Sequence, residues 1–549
     1  MAIASPSPPT FSASFCCSRA ESPAFFARFA RNRTQALTRR LAVSSQLNSS
    51  PSDAGGSVSP DNGDLNYEFF HGFSAERRRK GSPVFVTLPI DAVSTNGQLR
   101  RRKAMVQSFR ALAASGVEGV VMEVWWGLVE RHQPRVYNWQ GYLEIVALAQ
   151  KFKLKVRAVF AFHQYGTGPG DPLWIPLPHW VLDEVEIDPD ITYTDRFGRR
   201  SIEYISLGCD TLPVLRGRSP IQAYTDLMRS FRESFEPFIG AVITGIQVGM
   251  GPGGELRYPS CPSHKLTWSW RTRELGEFQC YDKYMLASLD ACARQVGMTQ
   301  WGTGGPYGAG NLMQDPEKTN FFKSDTGSWN TPYGKFFLEW YSGMLLLHGE
   351  RICREVVSIF GHTEVETSAK VAGIYWHYIT QSHPSELTAG YYNTWTRDGY
   401  LPIVRLFARY GFTLCSSCFE MQDLRERQMN PASSPEGFLQ QLLFDARVCD
   451  VPLEGENSAS NLDDASYNQV IKMSKFYSEG LEKPSFSFNF VRMDKNMFEY
   501  QNWVRFTRFV RQMSNTSNIF RAKLAYGGDI HQFLTSSSDA KAGIAFAYC

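Results

Sequence analysis

The sequence predicts an α/β fold, a single (β/α)8 (TIM) barrel with long loops after its strands. Eight short runs of apolar, β-branched or aromatic residues lie between residues 83 and 493, and longer amphipathic stretches separate them. The runs are apolar almost throughout, which is typical of strands in a parallel sheet that is covered on both faces. Eight such units close into a barrel, whereas a doubly wound open sheet needs fewer strands.

The elements follow in order along the chain. The predicted strands are 83–90, 119–126, 155–162, 241–248, 369–376, 412–419, 446–455 and 486–493. Apolar positions spaced by three and four residues predict helices over 101–116, 141–152, 221–235, 331–360 and 502–513. Gly116 is placed to cap the first helix. The chain between the fourth and fifth strands is longer than one crossover helix, so it is predicted to hold extra loops or helices.

The first 60 residues differ in composition from the rest. They hold six Arg and no Lys against only Glu21 and Asp53, and they are rich in Ser and Pro. This composition predicts a chloroplast transit peptide and disordered linker over 1–60, with an untargeted disordered tail as the alternative. The remaining organisation is then an N-terminal extension over 61–82, the barrel over 83–515 and a C-terminal tail over 516–549. The predicted location is the plastid stroma.

Charge and hydropathy exclude two classes of partner. After residue 60 the chain carries 51 basic and 52 acidic residues, so it lacks the positive field of a nucleic-acid-binding protein. Its apolar runs are all shorter than a bilayer-spanning helix requires. We therefore predict neither a nucleic-acid nor a membrane partner, and the sequence leaves protein partners unknown.

The cysteine pattern does not indicate a metal or a disulfide framework. The chain holds 11 scattered cysteines, an odd number, of which Cys415 and Cys418 form a C-x-x-C motif. A zinc site needs a second such pair, and a redox motif needs a thioredoxin-like context. We interpret the two residues as unrelated small side chains at the end of a buried strand, with no metal predicted.

A glycine-rich stretch, GMGPGGELRYPS at 249–260, follows the fourth predicted strand. Its glycines satisfy the G-x-G-x-x-G spacing of a dinucleotide-binding turn, but that turn requires a helix at the third glycine. Pro259 and Pro262 prevent such a helix, which leaves a nicotinamide-dependent oxidoreductase as a poor third hypothesis. The glycines instead allow a tight loop that presents Glu255 to a cleft.

A second carboxylate lies at the same end of the predicted barrel. Glu456 directly follows the seventh predicted strand, and aromatic residues, which stack on sugar rings, make up 14% of the chain. Two carboxylates at one end suit glycoside hydrolysis by an acid and a base. The carboxylates that compete with this pair on the same loops are Asp171, Glu420, Asp423 and Glu454, and spacing alone does not exclude them.

Several motifs closely resemble the plant plastid β-amylases. They are VWWG at 124–127, GPGGELRYPS at 251–260, ELTAGYYN at 386–393 and GEN at 455–457, together with a loop that begins at His163. The likeness runs from about residue 83 to about residue 515 in the family's order. It implies a (β/α)8 barrel that needs no cofactor, binds α-1,4-glucans such as starch, and releases maltose from non-reducing ends with inversion.

The resemblance assigns roles residue by residue. Glu255 matches the general acid of the family and Glu456 its general base. The positions that match residues contacting substrate or supporting the pair are Glu123, His163, Asp171, Lys370, Tyr375, Ser417, Asn457 and Arg492.

The chain also departs from the family pattern around the site. The lid reads H-Q-Y-G-T-G-P-G-D over 163–171 where the family has H-x-C-G-G-N-V-G-D. Elsewhere, Glu123 replaces Asp, Tyr375 replaces His and Ser417 replaces Thr. The nearest likeness is therefore to a branch with an altered lid. Two hypotheses follow: an exo-hydrolase with full or weakened activity, or a catalytically impaired glucan-binding regulator of starch breakdown.

Overall fold

The computed structural model describes residues 81–261, 274–312, 314–478 and 486–514. Within them, eight parallel strands form a closed barrel, which confirms the predicted fold class. The barrel strands are β1 (Val84–Thr87), β2 (Gly119–Trp125), β3 (Lys155–Ala161), β6 (Ile243–Val248), β7 (Glu366–Val371), β8 (Thr413–Ser416), β9 (Leu453–Glu456) and β10 (Phe486–Phe490). A two-stranded hairpin, β4 (Thr192–Thr194) and β5 (Arg200–Ile205), lies outside the barrel sheet.

Helices connect the strands, as the 3.6-residue periodicity predicts. They are α1 (Arg102–Ser115), α2 (Trp126–Val129), α3 (Gln140–Lys151), α4 (His179–Ile187), α5 (Pro220–Ser234), α6 (Lys283–Gln295), α7 (Pro332–Phe360), α8 (Pro384–Ala389), α9 (Leu401–Tyr410), α10 (Asp423–Met429), α11 (Pro435–Val448), α12 (Asp464–Ser478) and α13 (Tyr500–Ser514). Gly116 ends α1 with φ 87° and donates its N–H to the Ala113 carbonyl. The long connection between β6 and β7 holds α6 and α7, which confirms the extra elements predicted there.

The barrel closes through its first strand. β1 pairs with β2, where Phe85 lies opposite Gly119, and also with β10, where Val84 lies opposite Phe488. Every barrel strand is parallel to its neighbours, so the carboxyl ends of all eight meet at one rim. Loops from that rim build the site of such a barrel.

The hairpin of β4 and β5 was missed by sequence reasoning. Its turn is built by Asp195, whose carboxylate accepts the N–H groups of Phe197 and Arg199, and by Gly198 at φ 76°. One of its strands is only three residues long, and the other contains Arg200 and a Glu, so neither forms an apolar run.

The predicted strands mostly run past the observed strand ends, and two of them begin at clearly different residues. Residues 446–448 of the predicted strand 446–455 are the last turn of α11, and the strand itself is Leu453–Glu456. Glu456 is therefore the last residue of a strand instead of the first residue of a loop. The predicted strand 369–376 lies at Glu366–Val371, because β7 begins with the polar residues Glu366 and Thr367, which gave no apolar signal. A short apolar run does not separate strand from helix end.

The described elements run from β1 to α13. The predicted transit peptide and linker (1–60) and the predicted tail (516–549) lie outside the described residues, as does the predicted extension except for Gly81 and Ser82. Ser82 donates its N–H to the carbonyl of Met513 at 2.9 Å, which ties the start of the barrel to its last helix. Among the helices described, none has the length and apolar character to cross a bilayer.

Candidate active site

Glu255 is presented by the glycine-rich turn after β6. Gly253 and Gly254 adopt φ 63° and 74°, a conformation that glycine reaches at little cost, and they reverse the chain. The following residues are extended: Glu255 forms a β-bridge with Lys370, and Leu256 donates its N–H to the Lys370 carbonyl at 2.8 Å. No helix begins at Gly254 in the described chain, so the geometry contradicts a dinucleotide-binding turn.

One ammonium group lies between the two predicted catalytic carboxylates. Lys370 Nζ, from β7, is 2.7 Å from Glu456 Oε2 and 3.9 Å from Glu255 Oε1. Burial opposes the positive charge of Lys370, but the attraction of Glu456 and Glu255 outweighs it and raises the pKa of the lysine. Glu255, Glu456 and Lys370 are all less than one-fifth exposed. We call these three residues the carboxylate pair with its lysine.

Arg257 is a second cation on Glu255. Its Nε donates to Glu255 Oε2 at 2.7 Å, and its Nη1 donates to the Tyr258 carbonyl at 3.1 Å. Sequence reasoning missed this residue, although a signal existed. Residues two apart in an extended chain point to the same side, so an Arg two positions after the acid is placed to contact it.

Two further residues that sequence reasoning missed hold the Glu255 loop. The Tyr391 hydroxyl donates to the Leu256 carbonyl at 2.8 Å and accepts the N–H of Ala372 at 3.0 Å, which joins the loop to the end of β7. Glu203, from β5, accepts the Gly253 N–H at 3.1 Å, and its carbonyl accepts the Gln164 N–H at 2.9 Å. Burial raises the pKa of Glu203 despite the opposing effect of Arg257.

The four competing carboxylates are occupied elsewhere. Glu454 points into the barrel, 3.5 Å from Arg157 Nη2. Glu420 accepts the N–H groups of Ser458 and Ala459 and so orders the loop after β9. Asp423 accepts hydrogen bonds from the side chains of Arg427 and Ser434, and Asp171 from that of Thr167. These contacts are structural, which leaves Glu255 and Glu456 as the carboxylates joined by Lys370.

Glu123 and Arg492 form a bidentate ion pair across the end of β2. Arg492 Nη1 and Nη2 lie 2.7 and 3.0 Å from the two oxygens of Glu123, and Nη1 also donates to the Leu88 carbonyl at 3.0 Å. Burial opposes the charge of Arg492, but Glu123 raises its pKa above the usual value. Asn457 fixes the backbone beside this arginine, because its Oδ1 accepts the Val491 N–H at 2.8 Å and its Nδ2 donates to the Val491 carbonyl.

His163 is buried where β3 leads into the lid. Its ring packs edge-on against Trp125 with centroids 5.1 Å apart, and it lies next to Gly254. Burial, reinforced by Arg257, lowers the pKa of His163 to about 3. The imidazole is therefore neutral across the working range of most enzymes.

The lid, which we define as residues 163–171, is held largely by its own atoms. The Thr167 hydroxyl donates to Asp171 Oδ2 at 3.0 Å, and the Asp171 N–H donates to the Gly168 carbonyl at 3.0 Å. Tyr165 forms an antiparallel bridge with Ile175 and packs 5.8 Å from Trp125.

Tyr375 and Ser417 lie on the loops after β7 and β8. The buried Tyr375 ring packs edge-on against Trp376 at 5.9 Å, and its carbonyl accepts the Ser434 N–H. Ser417 packs directly against Gly373: a Cβ added to this glycine would lie only 2.7 Å from the Ser417 Oγ. Cys415 and Cys418 are buried free thiols, in agreement with their interpretation as small residues at a strand end. Within the described residues, no group of three or more His, Cys, Asp or Glu side chains is placed to hold a metal.

Comparison with known proteins identifies the family. The model of glycosyl hydrolase family 14 matches residues 85–518. The chain belongs to glycosyl hydrolase family 14. Family 14 relatives include chloroplastic beta-amylase 1 of Arabidopsis thaliana, 48% identical over 81% of this chain and 77% of that protein. Chloroplastic beta-amylase 1 of Oryza sativa is 49% identical over 81% of this chain and 83% of its own.

A solved structure agrees on the fold. The catalytic domain of beta-amylase from Paenibacillus polymyxa superposes with a TM-score of 0.64 at 23% identity, over 79% of this chain and 99% of that domain. The predicted resemblance to the plastid β-amylases is thus confirmed. The protein is a family 14 glycoside hydrolase of the β-amylase type, and its similarity to chloroplastic relatives supports a plastid location.

Proposed function

We propose that the protein removes maltose from the non-reducing ends of starch-derived α-1,4-glucans with inversion at the anomeric carbon. Glu255 acts as the general acid and Glu456 as the general base. The observation that carries this proposal is the position of Lys370, whose ammonium contacts Glu456 at the end of β9 and Glu255 on the turn after β6.

The chemistry follows from the charges around the pair. Glu255 gives its proton to the glycosidic oxygen while Glu456 takes a proton from the water that attacks the anomeric carbon on the opposite face of the ring. The bond from the anomeric carbon to the leaving oxygen breaks as the new one forms. Glu255 gains negative charge during this step, and Arg257 and Lys370 are already in place to stabilise it.

The remaining predicted residues are proposed to position the glucan. Each oxygen of Glu123 accepts one hydrogen bond from Arg492 and retains acceptor capacity for a sugar hydroxyl. The neutral His163 ring offers a nitrogen beside the acid loop. Asp171 in the lid, Tyr375 and Ser417 on neighbouring loops, and Asn457 behind Arg492 complete the proposed binding set.

A glucan-binding regulator with impaired turnover is the second candidate. The observation in its favour is the lid, where Tyr165 is bridged to Ile175 and packed against Trp125, and where Pro169 restricts the backbone. A lid that closes poorly over the glucan would leave the carboxylates in place and slow the reaction.

The test uses the full-length protein with maltohexaose labelled at its reducing end. The proposal predicts unlabelled maltose as the first product and loss of about 10³-fold or more in rate for Glu255→Gln and for Glu456→Gln. If the parent protein binds glucan but releases no more maltose than Glu456→Gln, the hydrolase proposal is wrong and the regulator is favoured. A labelled maltose released first would contradict the proposed direction of attack.

A further inference from the structure

A layer of polar side chains fills the barrel interior directly beneath Glu456. The interior of a (β/α)8 barrel is usually packed with branched apolar residues, and buried charge is costly to maintain. Here Arg157 on β3, Ser368 on β7, Glu454 on β9 and Asn489 on β10 are each more than nine-tenths buried. Strands β9 and β10 do not neighbour β3 in the sheet, so their contacts with Arg157 cross the interior.

The hydrogen bonds in this layer determine which way the Asn489 amide faces. Arg157 Nη1 lies 2.8 Å from Asn489 Oδ1, and a guanidinium group can only donate. The amide oxygen therefore faces Arg157. The Nδ2 group must then face the carboxylates, and it lies 3.4 Å from Glu454 Oε2 and 3.3 Å from Glu456 Oε1.

Glu456 is consequently held at both of its oxygens. Asn489 donates to Oε1 from β10, and Lys370 donates to Oε2 from β7. Two donors on different strands fix the plane of the carboxylate, because rotation of the group breaks one bond or both. A general base with a fixed plane directs its remaining lone pairs at one water position.

We propose that Asn489 is a positioning residue for Glu456, and that the buried Arg157 and Glu454 beneath it hold Asn489 in the required orientation. This inference rests on the proposed function, since it assigns Glu456 the role of base. Arg157 is itself fixed, with its guanidinium 3.9 Å from the Phe85 ring centroid and 3.5 Å from Glu454. Arg157 faces Oε1 of Glu454, and the Ser368 hydroxyl donates to Oε2 of the same carboxylate at 3.3 Å.

The experiment compares three variants of the full-length protein. Asn489→Asp keeps the size and the acceptor for Arg157 but removes the donor to Glu456, and Asn489→Leu removes both. Thr225→Val is the matched control, because it removes a buried side-chain hydrogen bond, from the Thr225 hydroxyl to the Ile221 carbonyl on α5, outside this layer. We measure kcat, KM for maltohexaose, and the pH dependence of kcat/KM.

Both Asn489 variants are expected to lower kcat by about 10- to 100-fold with KM changed less than about threefold. The acidic limb of the pH profile should move to higher pH because both variants lose a hydrogen bond to the ionised base, and it should move most for Asn489→Asp, which also adds a negative charge beside it. The other titratable groups that interact with Glu456 are Lys370, Cys415, Glu454 and Arg492, and they are unchanged in these variants. Thr225→Val should retain the parental profile.

A purely structural role predicts a different result. It would reduce the amount of folded enzyme and leave the pH profile of the remainder unmoved, which would overturn the inference. A crystal structure of Asn489→Asp gives a readout without turnover: a Glu456 carboxylate in its parental orientation also overturns the inference. An inactive parent protein overturns the proposed function, whereas an active parent with unaffected Asn489 variants overturns this inference alone.

Discussion

The carboxylate pair with its lysine and the lid are built in opposite ways. Glu456 ends β9, Lys370 lies near the end of β7 and Glu255 lies on the turn after β6, and each is tied to another strand by backbone or side-chain bonds. The lid is bonded mainly within itself and to the adjoining chain, and much of it is exposed. Most departures from the family pattern fall on the lid and on substrate-facing positions. We therefore expect these changes to act on glucan access and positioning, because Glu255 and Glu456 keep their contacts with the barrel strands.

Among the residues that support the two carboxylates, Lys370 is expected to have the largest effect when it is removed. Lys370→Met removes the hydrogen bond to Glu456 and the positive charge that lies 3.9 Å from Glu255. We expect kcat to fall by about 10²- to 10³-fold, measured as maltose release from maltohexaose. The exposed Lys335→Met on α7 is the matched control and should be neutral. A Lys370→Met enzyme with more than one-tenth of the parental kcat would contradict the role given to this ammonium.

The pH dependence of the unfolding free energy tests the burial of His163, the first residue of the lid. The pKa of His163 is about 3 in the folded protein, below the value of about 6.5 in an unfolded chain. The unfolded state therefore binds more protons between these values. The contribution of His163 is fully present above about pH 6.5 and is lost as pH falls toward 3, by about 1.4 kcal/mol per pH unit.

Replacing this histidine by a group that does not titrate removes that dependence. We expect the difference in unfolding free energy between the parent and His163→Phe to change in favour of the variant from pH 7 to pH 4.5. Urea denaturation at the two pH values measures it. A difference that is the same at both values would show that the buried ring does not resist protonation.

A smaller effect is expected where the acid loop is tied to β7. Tyr391→Phe leaves the Leu256 carbonyl and the Ala372 N–H without their shared partner, which costs about 1–3 kcal/mol of stability. We expect kcat to fall by about tenfold as Glu255 loses its position. Tyr410→Phe is the control, since its hydroxyl bonds Glu350 on the outer helices at 3.1 Å. Equal losses of kcat in the two variants would contradict the role of Tyr391 in positioning Glu255.

The smallest effect is expected in the lid. Pro169→Val restores the residue that the family pattern has and returns an N–H to the backbone. We expect KM for maltohexaose to fall a few-fold, with kcat within about twofold and unfolding free energy within about 0.5 kcal/mol. Pro172→Val, just beyond the lid, serves as the comparison. A large change in kcat for Pro169→Val would mean that the lid takes part in the chemical step.

The parts of the molecule that the sequence predicts are those with a local signal. Apolar runs locate all eight barrel strands. Because these strands run in the same direction, Glu255 and Glu456, which follow or end two of them, are expected at one rim. The hairpin containing Glu203 was missed because its strands are short and charged. The start of β9 was predicted seven residues too early, because the last turn of α11 and the strand lie in one largely apolar stretch.

The contacts that hold the site could not be predicted from the sequence in this way. Tyr391, Arg157 and Asn489 lie 136, 98 and 234 positions from Glu255, and their partners are set only when the barrel closes. Arg257 is the exception. It lies two residues after Glu255 on an extended chain, so its contact with Glu255 could have been predicted from the sequence. The catalytic roles given to Glu255 and Glu456, and the substrate-binding roles given to the other site residues, stay predictions.

The most direct test of the account is the configuration of the first product. Proton NMR of maltose released from maltohexaose by the full-length protein, recorded before mutarotation, separates the α and β anomers. An acid and a base that act on opposite faces of the ring predict β-maltose, and no such signal from Glu456→Gln. Release of α-maltose, or equal release by Glu456→Gln, would contradict the assignment of Glu255 and Glu456 as an inverting pair.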